Sequence, residues 1–159
     1  MKFNYLVLLS SLVITTFGCE PTLPDPDKNK VENNQEIFNA YNFSELDITG
    51  PTNNLNVVLR EGDKLVFKYY STSTEPRTAS LLMFEVDRLA ENFSINNFSD
   101  GRTVYATLDR DGNLIYNFVN KGTISGRKLN SAEWEVAFSV SGNDELPLDL
   151  TFSNVFKVR

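Results

Sequence analysis

The sequence predicts an all-β domain at residues 37–159, an antiparallel β-sandwich of about eight strands. Two observations lead to this fold class. From Phe43 onward, apolar side chains recur at every second position, the period that places alternate residues on one face of a strand. Gly, Pro, Asn and Asp separate these segments at short intervals, which favours hairpins and antiparallel pairing. A small closed β-barrel is the alternative arrangement of the same strands.

The clearest strand patterns lie near the end of the chain. In Glu133–Ser141 every even-numbered residue is apolar, and in Leu148–Val158 the only polar residue at an even number is Asn154. Other segments rich in Val, Tyr, Phe and Thr are also predicted as strands. These are Leu46–Thr49, Leu55–Arg60, Lys64–Tyr70, Leu81–Asp87, Arg102–Leu108 and Asn113–Val119. No long amphipathic helix is predicted, although Val86–Phe93 has room for one or two helical turns.

The connections include one hairpin turn and two longer loops. Asp111-Gly112-Asn113 is a turn sequence that predicts a hairpin between the segments on either side of it. Residues 71–80 and 120–132 are polar and longer than tight turns, so both are predicted as loops, where binding residues often lie. Short strands joined in this way resemble the immunoglobulin-like or fibronectin-like sandwich, which would place such loops at the two ends of the domain.

The first 18 residues have the organisation of a secretion signal. Lys2 supplies a positive charge, and the apolar run at residues 5–17 is shorter than the roughly 20 residues that span a bilayer. The motif Thr16-Phe17-Gly18-Cys19 resembles the lipobox of bacterial lipoproteins, although that pattern usually has an aliphatic and then a small residue before the final Gly-Cys pair. The resemblance implies that residues 1–18 are cleaved and that Cys19 carries acyl chains of the palmitate type, which anchor the protein to a membrane, most simply the outer membrane.

Residues 19–36 are predicted to be a flexible tether behind the lipidated cysteine. Three of the six prolines lie in this segment, and proline favours extended chain of about 3.1 Å per residue. The acids Glu20, Asp25 and Asp27 resemble the export signals that send some Bacteroidetes lipoproteins to the cell surface, but in those signals the acids follow the cysteine directly. Whether the domain faces the periplasm or the exterior therefore stays open.

The composition excludes several functions. Removal of residues 1–18 takes away one lysine and no acid, so the formal net charge changes from −6 to −7. An acidic domain without a long basic run lacks the positive surface that nucleic acid requires. The chain has no histidine, which removes Ser/His and Cys/His nucleophile pairs and imidazole metal ligands, and its single cysteine cannot form an intramolecular disulfide. No cofactor is predicted.

Tyrosines are the candidate ligand-binding residues, because a flat apolar ring with a polar tip suits the faces of sugars. The candidates are Tyr105, Tyr69, Tyr70 and Tyr116. Tyr105 shares its strand face with Thr103 and Thr107 and is therefore expected to point outward. The simpler interpretation is that tyrosine is a good strand former.

Acidic residues offer two further kinds of site. Asp109, Asp111 and Asn113 match the start of a calcium-binding loop, but the glycine comes too early and the closing glutamate is missing, so a hairpin turn is the preferred interpretation. A glycosidase needs two carboxylates about 5 to 10 Å apart, and three pairs of acids two residues apart in the sequence are candidates. The alternative interpretation is that these acids keep the outer face of the sheet solvated. These pairs are Glu133 with Glu135, Glu85 with Asp87, and Asp109 with Asp111.

Three functions are compatible with these features. The favoured hypothesis is a non-enzymatic interaction module, an accessory or scaffold subunit that binds another protein of the cell envelope, with the basic residues Lys121, Arg127 and Lys128 available for an acidic partner. The alternative is a carbohydrate-binding lipoprotein of a glycan-uptake system. The weaker alternative is a hydrolase that uses paired carboxylates.

Overall fold

The computed structural model describes residues 35–52, 55–74, 77–109, 111–142 and 148–159. Within these ranges lie nine β-strands and no helix. The strands are β1 (Gln35–Thr49), β2 (Asn56–Thr74), β3 (Arg77–Asp87), β4 (Asn92–Ile95), β5 (Thr103–Leu108), β6 (Leu114–Phe118), β7 (Lys121–Asn130), β8 (Glu133–Ser141) and β9 (Asp149–Val158). The predicted signal at residues 1–18, Cys19 and the tether up to residue 34 lie outside the described residues.

The strands form a single nine-stranded sheet in the order β4-β7-β8-β9-β1-β2-β3-β5-β6. Neighbouring strands pair antiparallel except β1 and β9, which run parallel where Asn39 meets Lys157 and Ala40 meets Val158. The all-β prediction is confirmed. In the described part of the chain the strands make one open mixed sheet, and an immunoglobulin-like arrangement of two antiparallel sheets is not confirmed.

The two halves of the sheet pack face to face around aromatic side chains. Phe67 of β2 stacks on Phe84 of β3 with 5.0 Å between ring centroids. The Phe67 ring also contacts the other half of the sheet, where the ring centroids of Trp134 in β8 and Phe156 in β9 lie 5.6 Å and 5.4 Å from its own. Each such pair contributes about 0.5–1.5 kcal/mol beyond the apolar area that it buries. Because side chains fill this interior, the surfaces open to a ligand lie on the outside of the domain and at the ends of the strands.

A bend in β1 and β2 creates a second, smaller core on the outer face of β3 and β5. At the bend Ser44 pairs with both Glu61 and Lys64, which is a β-bulge, and Phe43 has a φ of 52°. Beyond it the two strands fold over their neighbours. The second core consists of Leu46, Leu55, Val66, Leu81, Met83, Val104 and Ala106. As a result β2, β3 and β5 are covered on both faces.

Several predicted connections are wrong. Residues 120–132, expected to form a loop, contain β7, and the predicted loop at 71–80 is a hairpin in which β2 continues to Thr74 and β3 begins at Arg77. Residues 86–93 hold the end of β3, a turn and the start of β4, with no helix. The strand β7 was missed because it has only one fully buried side chain, Ile124, and its sequence therefore lacks apolar alternation. Its backbone hydrogen bonds are supplied by pairing with β8.

Candidate functional site

The tyrosine prediction is wrong about orientation. Tyr105 is fully buried, and Tyr69 is only 4% exposed, so neither ring offers a face to a sugar in this structure. Tyr70 and Tyr116 are half-buried against the second core. The physical reason is that β5 is covered on both faces, so the face that Tyr105 shares with threonines is not the solvent face. Carbohydrate binding itself stays a prediction.

Burial also changes the chemistry of Tyr69. Loss of hydration raises the pKa of Tyr69 above 10.0, because the charged phenolate is poorly solvated inside the domain. A hydrogen bond with the Ser71 side chain opposes this effect, and the nearby carboxylate of Glu36 adds to it. The hydroxyl of Tyr69 therefore stays protonated near neutral pH.

Asp109, Asp111 and Asn113 form a hairpin turn between β5 and β6, as predicted. Asp109 Oδ1 accepts hydrogen bonds from the backbone N–H groups of Asp111 and Asn113, each at 2.8 Å, and its Oδ2 accepts one from Asn113 Nδ2 at 3.2 Å. The bond from the Asn113 backbone is the largest effect that lowers the pKa of Asp109. Both carboxylate oxygens thus have donors within the turn, and no cluster of three or more Cys, Asp or Glu able to hold a metal occurs in the described ranges.

Glu85, one of the predicted catalytic acids, supports the bend. Its side chain is only 9% exposed, its Oε2 accepts a hydrogen bond from the backbone N–H of Leu46 at 2.9 Å, and its Oε1 lies 3.4 Å from Arg102 Nε. Arg102 in turn donates to the carbonyl of Leu46 at 3.0 Å. These contacts tie the bent part of β1 to β3 and β5.

Two cations of the predicted basic segment form ion pairs on the surface, one of them with a predicted catalytic acid. Arg127 Nε lies 2.6 Å from Glu135 Oε2, and Lys128 Nζ lies 3.1 Å from Glu91 Oε1. Glu133 accepts a hydrogen bond from the Asn130 side chain at 2.9 Å. The prediction that Lys121, Arg127 and Lys128 lie in a loop is wrong, because all three lie on β7. Arg127 and Lys128 each have an acidic neighbour.

The strand register defines two ends of the domain. Gln35, at the start of β1, pairs with Thr72, whereas Asn42 at the bend pairs with Leu65. The seven residue steps from Gln35 to Asn42 span about 23 Å at 3.3 Å per residue. We call the end at the bend the distal end, because seven residue steps of β1 separate it from Gln35, where the described part of the domain begins.

Three side chains form a partly apolar surface at the distal end, the distal patch: Phe43, Arg88 and Leu89. Phe43 is 55% exposed and Leu89 is 75% exposed. The guanidinium carbon of Arg88 lies 4.3 Å from the centroid of the Phe43 ring, a cation–π contact. Leu89 is held at the tip of a turn, where the side chain of Asp87 accepts its backbone N–H at 2.9 Å. The patch therefore combines an aromatic ring, an aliphatic side chain and a cation.

A cleft of about 290 Å³, the distal cleft, adjoins the patch. Its wall includes the buried side chains of Leu65 and Trp134. Arg88 and Leu89 also line it, and so does the Lys128–Glu91 ion pair. The Nε atom of Arg88 is buried and has no hydrogen-bond partner among the described residues. The cleft thus offers apolar wall area beside a cation, Arg88, that forms no ion pair among the described residues.

A second surface depression, of about 580 Å³, lies between residues 97–101 and 118–120. Its polar groups are occupied by local turns. Asn97 Oδ1 accepts the backbone N–H of Ser99 at 3.1 Å, and Asp100 Oδ1 accepts that of Arg102 at 3.0 Å. The distal cleft is the stronger candidate, because one of its cations, Arg88, forms no ion pair among the described residues.

The distal patch and the distal cleft were not found from the sequence. Arg88 and Leu89 follow a predicted strand and carry no motif, and Phe43 belongs to an ordinary apolar pattern. The available signal was Leu89 itself, an apolar residue next to two charged residues in a turn. The Phe43–Arg88 contact depends on the bend, which brings residues 45 positions apart together.

Comparisons with known proteins identify no relative. No protein-family model matches the chain, and neither a curated protein nor a solved structure matches it. In the described ranges, no helix is long and apolar enough to cross a lipid bilayer.

Proposed function

We propose that this chain is a lipid-anchored, non-enzymatic binding module that docks on another protein of the cell envelope through the distal patch and distal cleft. One observation supports this proposal above the others. Phe43 is a large apolar residue, 55% exposed, in a backbone conformation that disfavours any residue but glycine.

The backbone conformation of Phe43 lowers the stability of the folded domain. A φ of 52° lies in the left-handed region, which costs an L-residue about 1–2 kcal/mol. Such strain is concentrated at functional sites, where a side chain is needed in one position for reasons other than stability. An aromatic residue and an arginine at the centre of an exposed patch are also the residue types that dominate binding energy at protein interfaces.

Anchoring at Cys19 would leave the distal end free for a partner. The tether joins the domain at Gln35, opposite the distal patch, and an extended chain of the 16 residues from Cys19 to residue 34 reaches about 50 Å at 3.1 Å per residue. We place the protein at the outer membrane, facing either the periplasm or the exterior. Its folded-over sheet serves as a sandwich-type scaffold, a description supported by the aromatic contacts between its two halves.

Site-specific crosslinking tests the docking surface. A photo-crosslinking amino acid replaces Leu89 in the full chain in living cells, and the matched control replaces Val58, which is 41% exposed in the bent part of β2. We expect a discrete crosslinked product from position 89 that is absent from position 58 and is lost with Phe43→Gly. Equal products from both positions, or none from position 89, would contradict the proposal.

The anchor has its own test. Cys19→Ala should abolish incorporation of a labelled fatty acid and release the protein from the membrane fraction, because Cys19 is the sole cysteine of the chain. Cys19→Ser serves as a second variant of similar size. Label retained by either variant would refute lipidation at this residue.

A further inference from the structure

We infer that the distal cleft binds an acidic side chain of the partner protein, with a Glu or Asp carboxylate on the guanidinium of Arg88 and an adjoining apolar residue of the partner against Leu89. The inference rests on the proposed docking function and specifies its chemistry. The occupant is an internal segment of a protein chain in which an acidic residue stands next to an apolar one.

The charge of Arg88 is available to an acceptor from outside the domain. Its side chain is half-buried and lines the distal cleft. Among the described residues no carboxylate forms an ion pair with its guanidinium. Other cations differ: Lys128 lies beside Glu91 at 3.1 Å, and Arg102 beside Glu85 at 3.4 Å.

The contact with Phe43 holds the guanidinium beside the cleft. Its central carbon lies over the ring of Phe43, 4.3 Å from the ring centroid. The N–H donors of a guanidinium lie in one plane and form a rigid fork. A carboxylate in that plane can accept two parallel hydrogen bonds, the geometry that arginine provides and lysine does not.

The charge balance favours a carboxylate over a phosphate. A phosphate group carries close to two negative charges near neutral pH, and Arg88 is the only cation of the cleft without an acidic neighbour in the described residues. The lipidated chain has a formal charge of −7, which further disfavours a dianion.

The apolar surroundings favour an internal chain segment over a free acid. Phe43 and Leu89 are both exposed, and both adjoin Arg88. A partner that covers the two side chains must continue beyond the residue that contacts Arg88. A segment that passes across the distal patch satisfies this requirement, whereas a single terminal residue does not.

Tryptophan fluorescence provides a direct test, because Trp134 is the single tryptophan and lines the cleft. The full chain in mild detergent is titrated with the blocked peptide acetyl-Leu-Glu-Leu-amide, and with acetyl-Leu-Gln-Leu-amide as its neutral match. We expect the Glu peptide to change Trp134 emission and to bind at least about tenfold more tightly than the Gln peptide, as a charge-assisted hydrogen bond to arginine requires.

Protein variants assign the effect to Arg88. Arg88→Gln should lose the preference for the Glu peptide, and Arg88→Lys should lose most of it, because lysine lacks the planar pair of donors. Arg77→Gln, which removes the same charge at the start of β3 at the opposite end, should keep the preference. Loss of the preference in Arg77→Gln would overturn the inference, since the effect would then be one of net charge.

The remaining outcomes separate the inference from the docking proposal. Equal affinity for the Glu and Gln peptides, no binding of either, or binding of acetyl-leucine with its free carboxylate in place of the blocked peptides would each overturn the inference. If a specific crosslink from position 89 persists in any of these cases, docking stands without this chemistry. If that crosslink is also absent, both fail.

Discussion

Replacement of Phe43 by glycine should give a more stable protein than replacement by alanine. Both variants lose the contact with Arg88, about 0.5–1 kcal/mol for an exposed cation–π pair. Only glycine relieves the strain of the 52° φ angle, which is about 1–2 kcal/mol. Glycine also has greater freedom in the unfolded chain, which offsets about 0.5–1 kcal/mol of this gain. The net difference in free energy of unfolding is therefore about 1 kcal/mol in favour of Phe43→Gly.

Urea denaturation of the full chain measures this difference, and Val155 provides the matched control. Val155 is 37% exposed in β9 and is not among the residues with positive φ. There the order should reverse, with Val155→Ala more stable than Val155→Gly by about 0.5–1 kcal/mol. If Phe43→Ala is as stable as Phe43→Gly or more stable, Phe43 is not strained and the functional interpretation of its conformation fails.

Three further predictions concern the scaffold. Glu85→Ala should lower the free energy of unfolding by about 1.5–3 kcal/mol in urea denaturation, because a buried backbone donor loses its charged acceptor, and Glu85→Gln should lower it less. Gly122→Ala should cost more than about 1 kcal/mol in thermal unfolding, because its φ is 123° and an added Cβ would overlap the Ser139 carbonyl oxygen. NMR titration should give Asp109 a pKa below 3.8; its stabilising effect is then complete above the unfolded pKa and is lost as pH falls through the lower folded value.

Specific results would contradict each of these. Equal loss of stability in Glu85→Ala and Glu85→Gln would show that the hydrogen bond to the bend is unimportant. A Gly122→Ala variant as stable as the original chain would mean that β7 approaches β8 less closely than described. An Asp109 pKa at or above 3.8 would mean that the turn does not stabilise the carboxylate.

Strands with one solvent face were predictable from the sequence. The boundaries of β8 match the predicted segment, and the even-numbered residues predicted for its core face are all buried. In the predicted segment Leu148–Val158, which contains β9, Leu148 and Phe156 are buried as predicted, and the exception, Asn154, is exposed. Period-two alternation works here because water covers one face and the core covers the other.

Strands in other environments were not predictable. Tyr105 lies in a strand that is buried on both faces, where the polar face of a pattern no longer identifies the solvent side. β7 lacks an apolar pattern altogether, because its stability comes from pairing with β4 and β8. The parallel pairing of β1 with β9 joins the first and last strands of the domain and has no local signal in either strand.

The candidate site was not predictable because it depends on tertiary structure. The bulge opposite Ser44 holds Gly62 and Asp63, but a glycine between the predicted strands 55–60 and 64–70 indicates a turn, not a bend within one long strand, and the positive φ falls on Phe43. The contact with Arg88 joins segments that only the bend brings together. The residues predicted as sites share a chemical type, such as tyrosine or aspartate. The residues of the distal patch come together only through the backbone conformation at the bend.

The central claim is that Phe43 serves docking rather than folding. The most direct measurement is the affinity of the full chain for the partner identified by crosslinking at position 89, compared between the original chain, Phe43→Gly and the control Val58→Gly. We predict that Phe43→Gly weakens binding at least about tenfold although it is the more stable of the two Phe43 variants, and that Val58→Gly binds as the original chain does. Unchanged affinity of Phe43→Gly would contradict the claim.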